Sequence, residues 1–284
     1  MIKDFESEKD VFFMRNTILN TQLLPHQIGI FYIGQEGYII KYQEQYYMID
    51  AYLSDYVDRN CCSEEVKWVR NYDAPISAEE LDFLDYVFCT HAHFDHADPD
   101  TLSTLAKINT KAKYIMPAPV ADVLKEYGIA EENIIYARDG EKLTLGTAVV
   151  SPIPSAHEEL NRDENGDFCE MGYCLQLGDV RLYHAGDCCV YDGLAERLGE
   201  IDITMVPVNG RDYYRLSRDI IGNMTAPEAI ELAETVNTKL LVPMHFDLYD
   251  CNCISAASFV DAHKAAKAKV PYHIFQPGEK YIYG

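Results

Sequence analysis

Residues 86–98 read Tyr-Val-Phe-Cys-Thr-His-Ala-His-Phe-Asp-His-Ala-Asp, an apolar run that stops and releases His91, His93, Asp95 and His96. Tyr86 to Cys89 favours a strand, and Asp98-Pro99 supplies an N-cap and first-turn proline for a helix carrying Leu102, Leu105 and Ala106. The cluster therefore belongs on a loop between strand and helix. A loop can turn successive side chains toward one centre, which the alternating side chains of a strand cannot do. A lone histidine on a loop needs no explanation, but three histidines and an aspartate spaced H-x-H-x-D-H are donors that divalent ions take.

A chain of 284 residues with 48% hydrophobic content can bury a substantial core, and no composition break divides it, so a single domain over residues 1–284 is expected. The charged start, Met-Ile-Lys-Asp-Phe-Glu, does not resemble a signal peptide, and no apolar run is long enough to span a bilayer. A soluble cytoplasmic protein without a membrane partner is the expectation. Nine scattered cysteines, an odd number, do not form a disulfide framework, so reduced thiols are expected. Cys188 stands out because it follows a candidate ligand. A net charge of −22 disfavours nucleic acid, whose binding needs cationic side chains, but it leaves room for a small anionic substrate.

Three β-rich runs between residues 28 and 50 predict a meander, and residues 53–76 predict a long excursion over the surface or the rim of a site. Ser77-Ala-Glu-Glu80 is a capping-box pattern ahead of a short helix. The pattern then alternates: helix 99–107, strand 113–117, helix 119–127, strand 133–137, and further strands to Pro154. Two strands around Gly178-Asp179 end at Asp187 and echo the run ending at Asp50, a weak internal repeat. Strand 202–207, helix 225–236 with a Thr225-x-x-Glu228 cap, strand 240–244, helix 255–267 and two short terminal strands follow.

Further ligands are expected where apolar strands end in polar residues, because a packed sheet delivers those side chains to one rim. His157, Asp187 and His245 meet that criterion. With the loop they make seven donors, enough for two metals with open positions. His184 lies within a strand and reads as a hydrogen-bonded interior histidine. His26, His263 and His273 read as structural, His263 sharing a helical face with Phe259.

Thr90-His91-Ala-His93-Phe-Asp95-His96, His157, Gly186-Asp187 and His245, in that order, resemble the metallo-β-lactamase superfamily. Pro207 to Arg215, Ile221 to Thr225 and Pro243 to Asp247 resemble its L-ascorbate-6-phosphate lactonase branch, although the chain is shorter and differs before the metal loop. The resemblance implies an αββα sandwich of two mixed sheets flanked by helices. It implies one ion on His91, His93 and His157, a second on Asp95, His96 and His245, and Asp187 bridging. Manganese follows from the branch, while the mixed imidazole and carboxylate set by itself suggests zinc.

The implied activity is a metal-dependent hydrolase, a lactonase for a sugar-acid phosphate such as L-ascorbate-6-phosphate that uses metal-activated water, with Asp95 as proton carrier. A homo-oligomer is implied as well. Arg211, following strand 203–208, is a candidate clasp for a substrate phosphate or carboxylate, with an internal ion pair as its alternative. Asn209, Tyr213 and Tyr214 are candidates for the same cleft. The alternatives are a phosphodiesterase or another ester or thioester hydrolase, a non-enzymatic metal-binding protein, and a di-iron redox protein.

Overall fold

The computed structural model describes residues 7–284. Its strands are β1 (Ile28–Gly34), β2 (Gly37–Tyr42), β3 (Gln45–Ile49), β4 (Tyr86–Phe88), β5 (Lys113–Pro117), β6 (Ile134–Ala137), β7 (Leu143–Leu145), β8 (Ala148–Pro154), β9 (Met171–Leu177), β10 (Val180–His184), β11 (Ile203–Pro207), β12 (Leu240–Met244) and β13 (Lys280–Tyr283). Its helices are α1 (Ser7–Asn20), α2 (Tyr56–Asn60), α3 (Pro99–Ile108), α4 (Val123–Glu126), α5 (Leu194–Leu198), α6 (Tyr213–Leu216), α7 (Ala226–Thr235) and α8 (Ala256–Ala266).

One sheet runs β13-β1-β2-β3-β4-β5-β6 and the other β12-β11-β10-β9-β8-β7. Each starts as an antiparallel meander and turns parallel, the first at β3 to β4 and the second at β10 to β11. The echo between the runs ending at Asp50 and Asp187 is the sequence trace of that shared plan.

Tyr32, Tyr38, Tyr47, Phe88 and Ile115 of the first sheet pack against Val150, Tyr173, Leu175, Leu182 and Met205 of the second. The alternate residues Phe31, Ile39, Met48, Val87 and Met116 pack instead with Met14 and Ile18 of α1, Leu102 and Leu105 of α3 and Leu124 of α4. Period-two alternation with both faces covered explains why these strands read as nearly continuous apolar runs. Leu194 of α5, Ile230 of α7 and Phe259 of α8 belong to the core of the second sheet, which completes an αββα sandwich. Fully burying each large apolar side chain contributes roughly 1.5–3 kcal/mol.

The strand directions create one functional rim. Parallel β3 and β4 end at Asp50 and at the loop 90–98, and parallel β10, β11 and β12 end near Asp187, Asn209 and His245. β8 runs the same way as β10, since both are antiparallel to β9, so His157 follows β8 onto the same edge. Sites outside the carboxyl ends of parallel strands are the general outcome of such sheets.

Three sequence expectations need correction. The helix at 119–127 shrinks to α4, because Pro117 and Pro119 bias the preceding residues away from helix and the chain makes three-residue turns instead, such as Val120 N to Pro117 O. The Ser77 box caps a single 3-10 turn, Ala78–Glu80. Of the two terminal strands only β13 forms, the other reducing to one bridge between Leu241 and Tyr272. The excursion at 53–76 contains α2 and brings Trp68 against a small cluster of Tyr52, Val57, Leu248 and Tyr249. Among the described residues no helix is long and apolar enough to cross a membrane.

Candidate metal centre

The loop after β4 is pinned at both ends. Thr90 donates from its backbone N and its Oγ1 to Asp50, at 2.8 and 2.6 Å, and Asp98 accepts from Asp100 N to cap α3 behind Pro99. Between these anchors His91, His93, Asp95 and His96 meet His157, Asp187 and His245 from the second sheet. Ligand atoms of His91, His93, His157 and Asp187 all lie within 4.8 Å of one another, and so do those of Asp95, His96 and His245. Asp187 touches both groups: Oδ2 is 3.5 Å from His157 Nε2, 3.6 Å from His96 Nε2 and 3.9 Å from His91 Nε2, while Oδ1 is 3.3 Å from His245 Nε2. All seven ligand candidates from the sequence converge here.

The donor set fits divalent cations. His91 Nε2 and His96 Nε2 are buried without a hydrogen-bond partner among the described residues. Buried lone pairs are rarely left idle, and a cation among imidazole and carboxylate donors supplies the missing partner.

Residues behind the donors fix their orientation. His96 Nδ1 bonds Asp50 Oδ2 at 2.9 Å, which leaves Nε2 facing the centre. Asn223 Nδ2 donates to Asp187 Oδ1 at 2.8 Å, and Gln35 Nε2 donates to Asp95 Oδ2 at 2.9 Å. His245 and Asp50 hold positive φ, +56° and +47°, a strain that non-glycine residues keep where surrounding bonds over-determine them. Sequence reasoning missed Gln35, Glu36, Asp50 and Asn223. Asp50 ends a strand just as Asp187 does, so the same criterion could have found it. The other three lie in turns and loops whose local pattern carries no such signal.

Glu36 is fully buried beside this cluster, its Oε2 3.8 Å from His96 Nδ1, and among the described residues neither carboxylate oxygen has a hydrogen-bond partner. Burial and the neighbouring Asp187 push its carboxyl well above the usual range. A group so raised costs stability as pH rises past its unfolded value. Glu36→Gln is therefore expected to stabilise metal-stripped protein at pH 8 by about 1–3 kcal/mol, the scale of an unsatisfied buried group, measured by urea unfolding. An unchanged midpoint would mean that Glu36 is already compensated.

His184 is buried, donates from Nε2 to Glu36 O and accepts from Gly186 N on Nδ1, so it braces the Glu36 and Gly186 turns. His263 bonds Val270 O and His273 bonds Glu279, while His26 is exposed. Cys188 is a buried thiol pushed up to about 12 by burial, its Sγ on Cys189 O, and it joins neither donor group. All nine cysteines are unpaired.

Burial drives His157 down to about 4 and His91 well below the usual range. Burial also opposes protonation of His245, but Asp187 and Asp95 outweigh it and hold His245 up at about 9. In metal-stripped protein the His157 effect reduces stability as pH falls from 6.5 toward 4. The His245 contribution is complete below 6.5 and is lost as pH rises toward 9. Thermal midpoints in chelator are thus expected to peak near pH 6.5, with His157→Gln flattening the acid limb and His245→Gln the alkaline limb. A wild-type midpoint that climbs steadily from pH 6.5 to 9 would contradict this.

The centre opens into a cavity of about 310 Å³ bordered by His93, Asp95, His157, Asp187 and His245. Of the substrate-binding candidates, none borders it. Arg211 forms a two-pronged ion pair with Glu228, at 2.5 and 2.8 Å, and donates to Asn223 O. Asn209 is buried and donates to Asn252 Oδ1, and Tyr213 is 85% exposed. Asn252 itself borders the cavity, a residue the sequence pattern did not single out.

A sequence profile described as a β-lactamase superfamily domain matches residues 46–246, which cover the whole second sheet, β4 to β6 of the first and every ligand candidate. The chain belongs to that superfamily. A UPF0173 metal-dependent hydrolase of Archaeoglobus fulgidus is 28% identical over 218 residues, covering 74% of this chain and 87% of its own length. Two solved structures share the fold. A possible metal-dependent hydrolase from Veillonella parvula has a TM-score of 0.72 at 14% identity, over 89% of this chain and 98% of that one. A metallo hydrolase from Ignicoccus hospitalis has a TM-score of 0.65 at 18% identity, over 91% and 99%. The H-x-H-x-D-H loop and the donors at the rim all lie within the matched region; none of these three names carries the lactonase branch.

Proposed function

We propose that this superfamily member is a metal-dependent hydrolase of small esters or lactones. The convergence of seven donors at the mouth of a cavity carries the reading. His91, His93 and His157 would hold one ion, Asp95, His96 and His245 a second, with Asp187 between them; manganese and zinc are the candidates. Bound divalent ions would supply a nucleophile from water near neutral pH and polarise the carbonyl under attack.

The chain's own residues set up the rest. Asp50 keeps His96 in the tautomer that presents Nε2, and Asn223 fixes the Asp187 carboxylate. Asp95 is 19% exposed at its side chain, far more open than Asp187, and its carboxyl lies below the usual range as the attraction of His96 and His245 overcomes burial. As a carboxylate bordering the cavity, Asp95 would carry the proton to the departing oxygen once water or substrate raises its basicity.

Phosphate recognition by Arg211 finds no support in its ion pair with Glu228. Glu228 also caps α7 through Thr225, so Arg211 acts on that helix end. Arg211→Ala is expected to lower the thermal midpoint while changing KM less than twofold. The proposal is tested by stripping metal, reloading manganese or zinc, and following lactones, carboxylic esters and phosphodiesters beside a His93→Ala control. Turnover restored by metal and lost in the control supports it. Stoichiometric metal without turnover of any of them would favour a metal-binding protein.

A further inference from the structure

We infer that the substrate is a small, uncharged and largely apolar ester or lactone, oriented by a hydrogen bond from the side-chain amide of Asn252. The inference rests on the hydrolase reading above.

The cavity walls carry it. Beyond the metal cluster the lining is Val57, Trp68, Phe94, Ile220 and Ile221, with Cys61 between them. Among the described residues no lysine or arginine borders the space, and the one charged residue outside the cluster is an acid, Asp219. A phosphate or carboxylate on the substrate would meet no cationic side chain there and would add to a net charge of −22. The arginines that follow β11 turn to other partners: Arg218 donates to Tyr214 O and Ser217 Oγ and lies over the Tyr214 ring. Arg211 is held by Glu228, and the buried Arg215 donates to Asn252 Oδ1, Asp212 Oδ2 and Cys253 O at 2.9, 2.7 and 2.9 Å. At about 310 Å³ the space is at the lower end of ligand pockets, and apolar walls with few polar anchors are what a compact uncharged ligand requires.

Asn252 supplies the polar anchor. Its Oδ1 accepts from Asn209 Nδ2 at 3.0 Å and from Arg215 Nε at 2.9 Å, which fills both acceptor positions and fixes which end of the amide is which. Its Nδ2 makes no hydrogen bond among the described residues. A donor fixed in this way matches a carbonyl or ring oxygen. Asn209 and Arg215 are thereby positioning residues, acting through Asn252.

Trp68 is the only tryptophan of the chain and borders the cavity, so its emission reports occupancy independently of turnover. Metal-loaded protein is titrated with butyranilide, an uncharged amide mimic, and assayed with phenyl butyrate and 4-phosphooxyphenyl butyrate, which differ only by the phosphate. The expected result is a saturable Trp68 response and a kcat/KM at least tenfold higher for the uncharged ester. Asn252→Asp, which keeps the Arg215 contact and removes the donor, weakens butyranilide at least tenfold with unchanged metal content. Ile220→Arg shifts the preference toward the phosphorylated ester. Equal or better turnover of the phosphorylated ester by wild type overturns this inference and leaves the hydrolase reading standing, as does unaltered butyranilide affinity in Asn252→Asp. Butyranilide binding without turnover supports the ligand class and counts against the hydrolase. Bound metal with neither binding nor turnover overturns both.

Discussion

Asp187→Asn is expected to cut bound divalent metal from the two ions proposed per chain to below one and to lower turnover by at least about a thousandfold, or about 4 kcal/mol at the transition state. Asp187 meets both donor groups with its two oxygens: it lies within 3.9 Å of His91, His96 and His157 through Oδ2 and within 3.3 Å of His245 through Oδ1. The asparagine has the same shape but brings a neutral amide, removing the one negative charge shared by the two groups and placing an N–H₂ where a cation is to sit. His93→Ala should do less to the second group, since His93 belongs only to the first and is exposed. Metal analysis together with kinetics decides the matter. Two retained ions and unaltered turnover in Asp187→Asn would show that the groups do not share this carboxylate.

Gly186→Ala is expected to destabilise the protein by about 3 kcal/mol and to lose metal with it, combining the penalty of a left-handed backbone with overpacking. Gly186 holds φ +60°, and a Cβ there would stand 2.6 Å from Thr90 Cβ, 2.7 Å from Oγ1 and 2.8 Å from Cγ2. Thr90 cannot yield cheaply, because its N and Oγ1 are both bonded to Asp50, and Asp50 in turn orients His96. The clash would therefore pass from Asp187's own turn through Thr90 into the opposite ligand group. Thermal unfolding and metal analysis measure it. Thr90→Ser, which keeps the hydroxyl and removes Cγ2, should recover part of the loss in the double variant, a coupling expected only between groups in contact. Additive losses would place the damage elsewhere.

Much of the candidate site was legible because its signals are local. The H-x-H-x-D-H loop announces itself within six positions, and His157, Asp187 and His245 stand where apolar runs end. The sandwich was legible for a related reason, since strand and helix periods are written in the order of apolar residues. The substrate side was not. Arg211 satisfied the same strand-end argument as Asp187, yet Glu228 on α7 claims its guanidinium. A salt-bridge partner seventeen residues away is chosen by how a helix packs, which no window of sequence records. Glu36 and Asn223 were invisible because a turn residue looks alike whether it faces water or the interior.

The sequence by itself determined most of the strands and longer helices, the loop that gathers four donors and the order in which three more arrive, because each depends on neighbours along the chain. Only the tertiary structure decided that Asp187 stands between two groups, that Asp50, Asn223 and Gln35 hold His96, Asp187 and Asp95, and that the cavity is walled by Trp68, Phe94 and Ile220 with Asn252 at its border. Those outcomes follow from the facing of two sheets and the parallel strand ends at one rim, where side chains far apart in sequence compete for the same partners within a few ångströms.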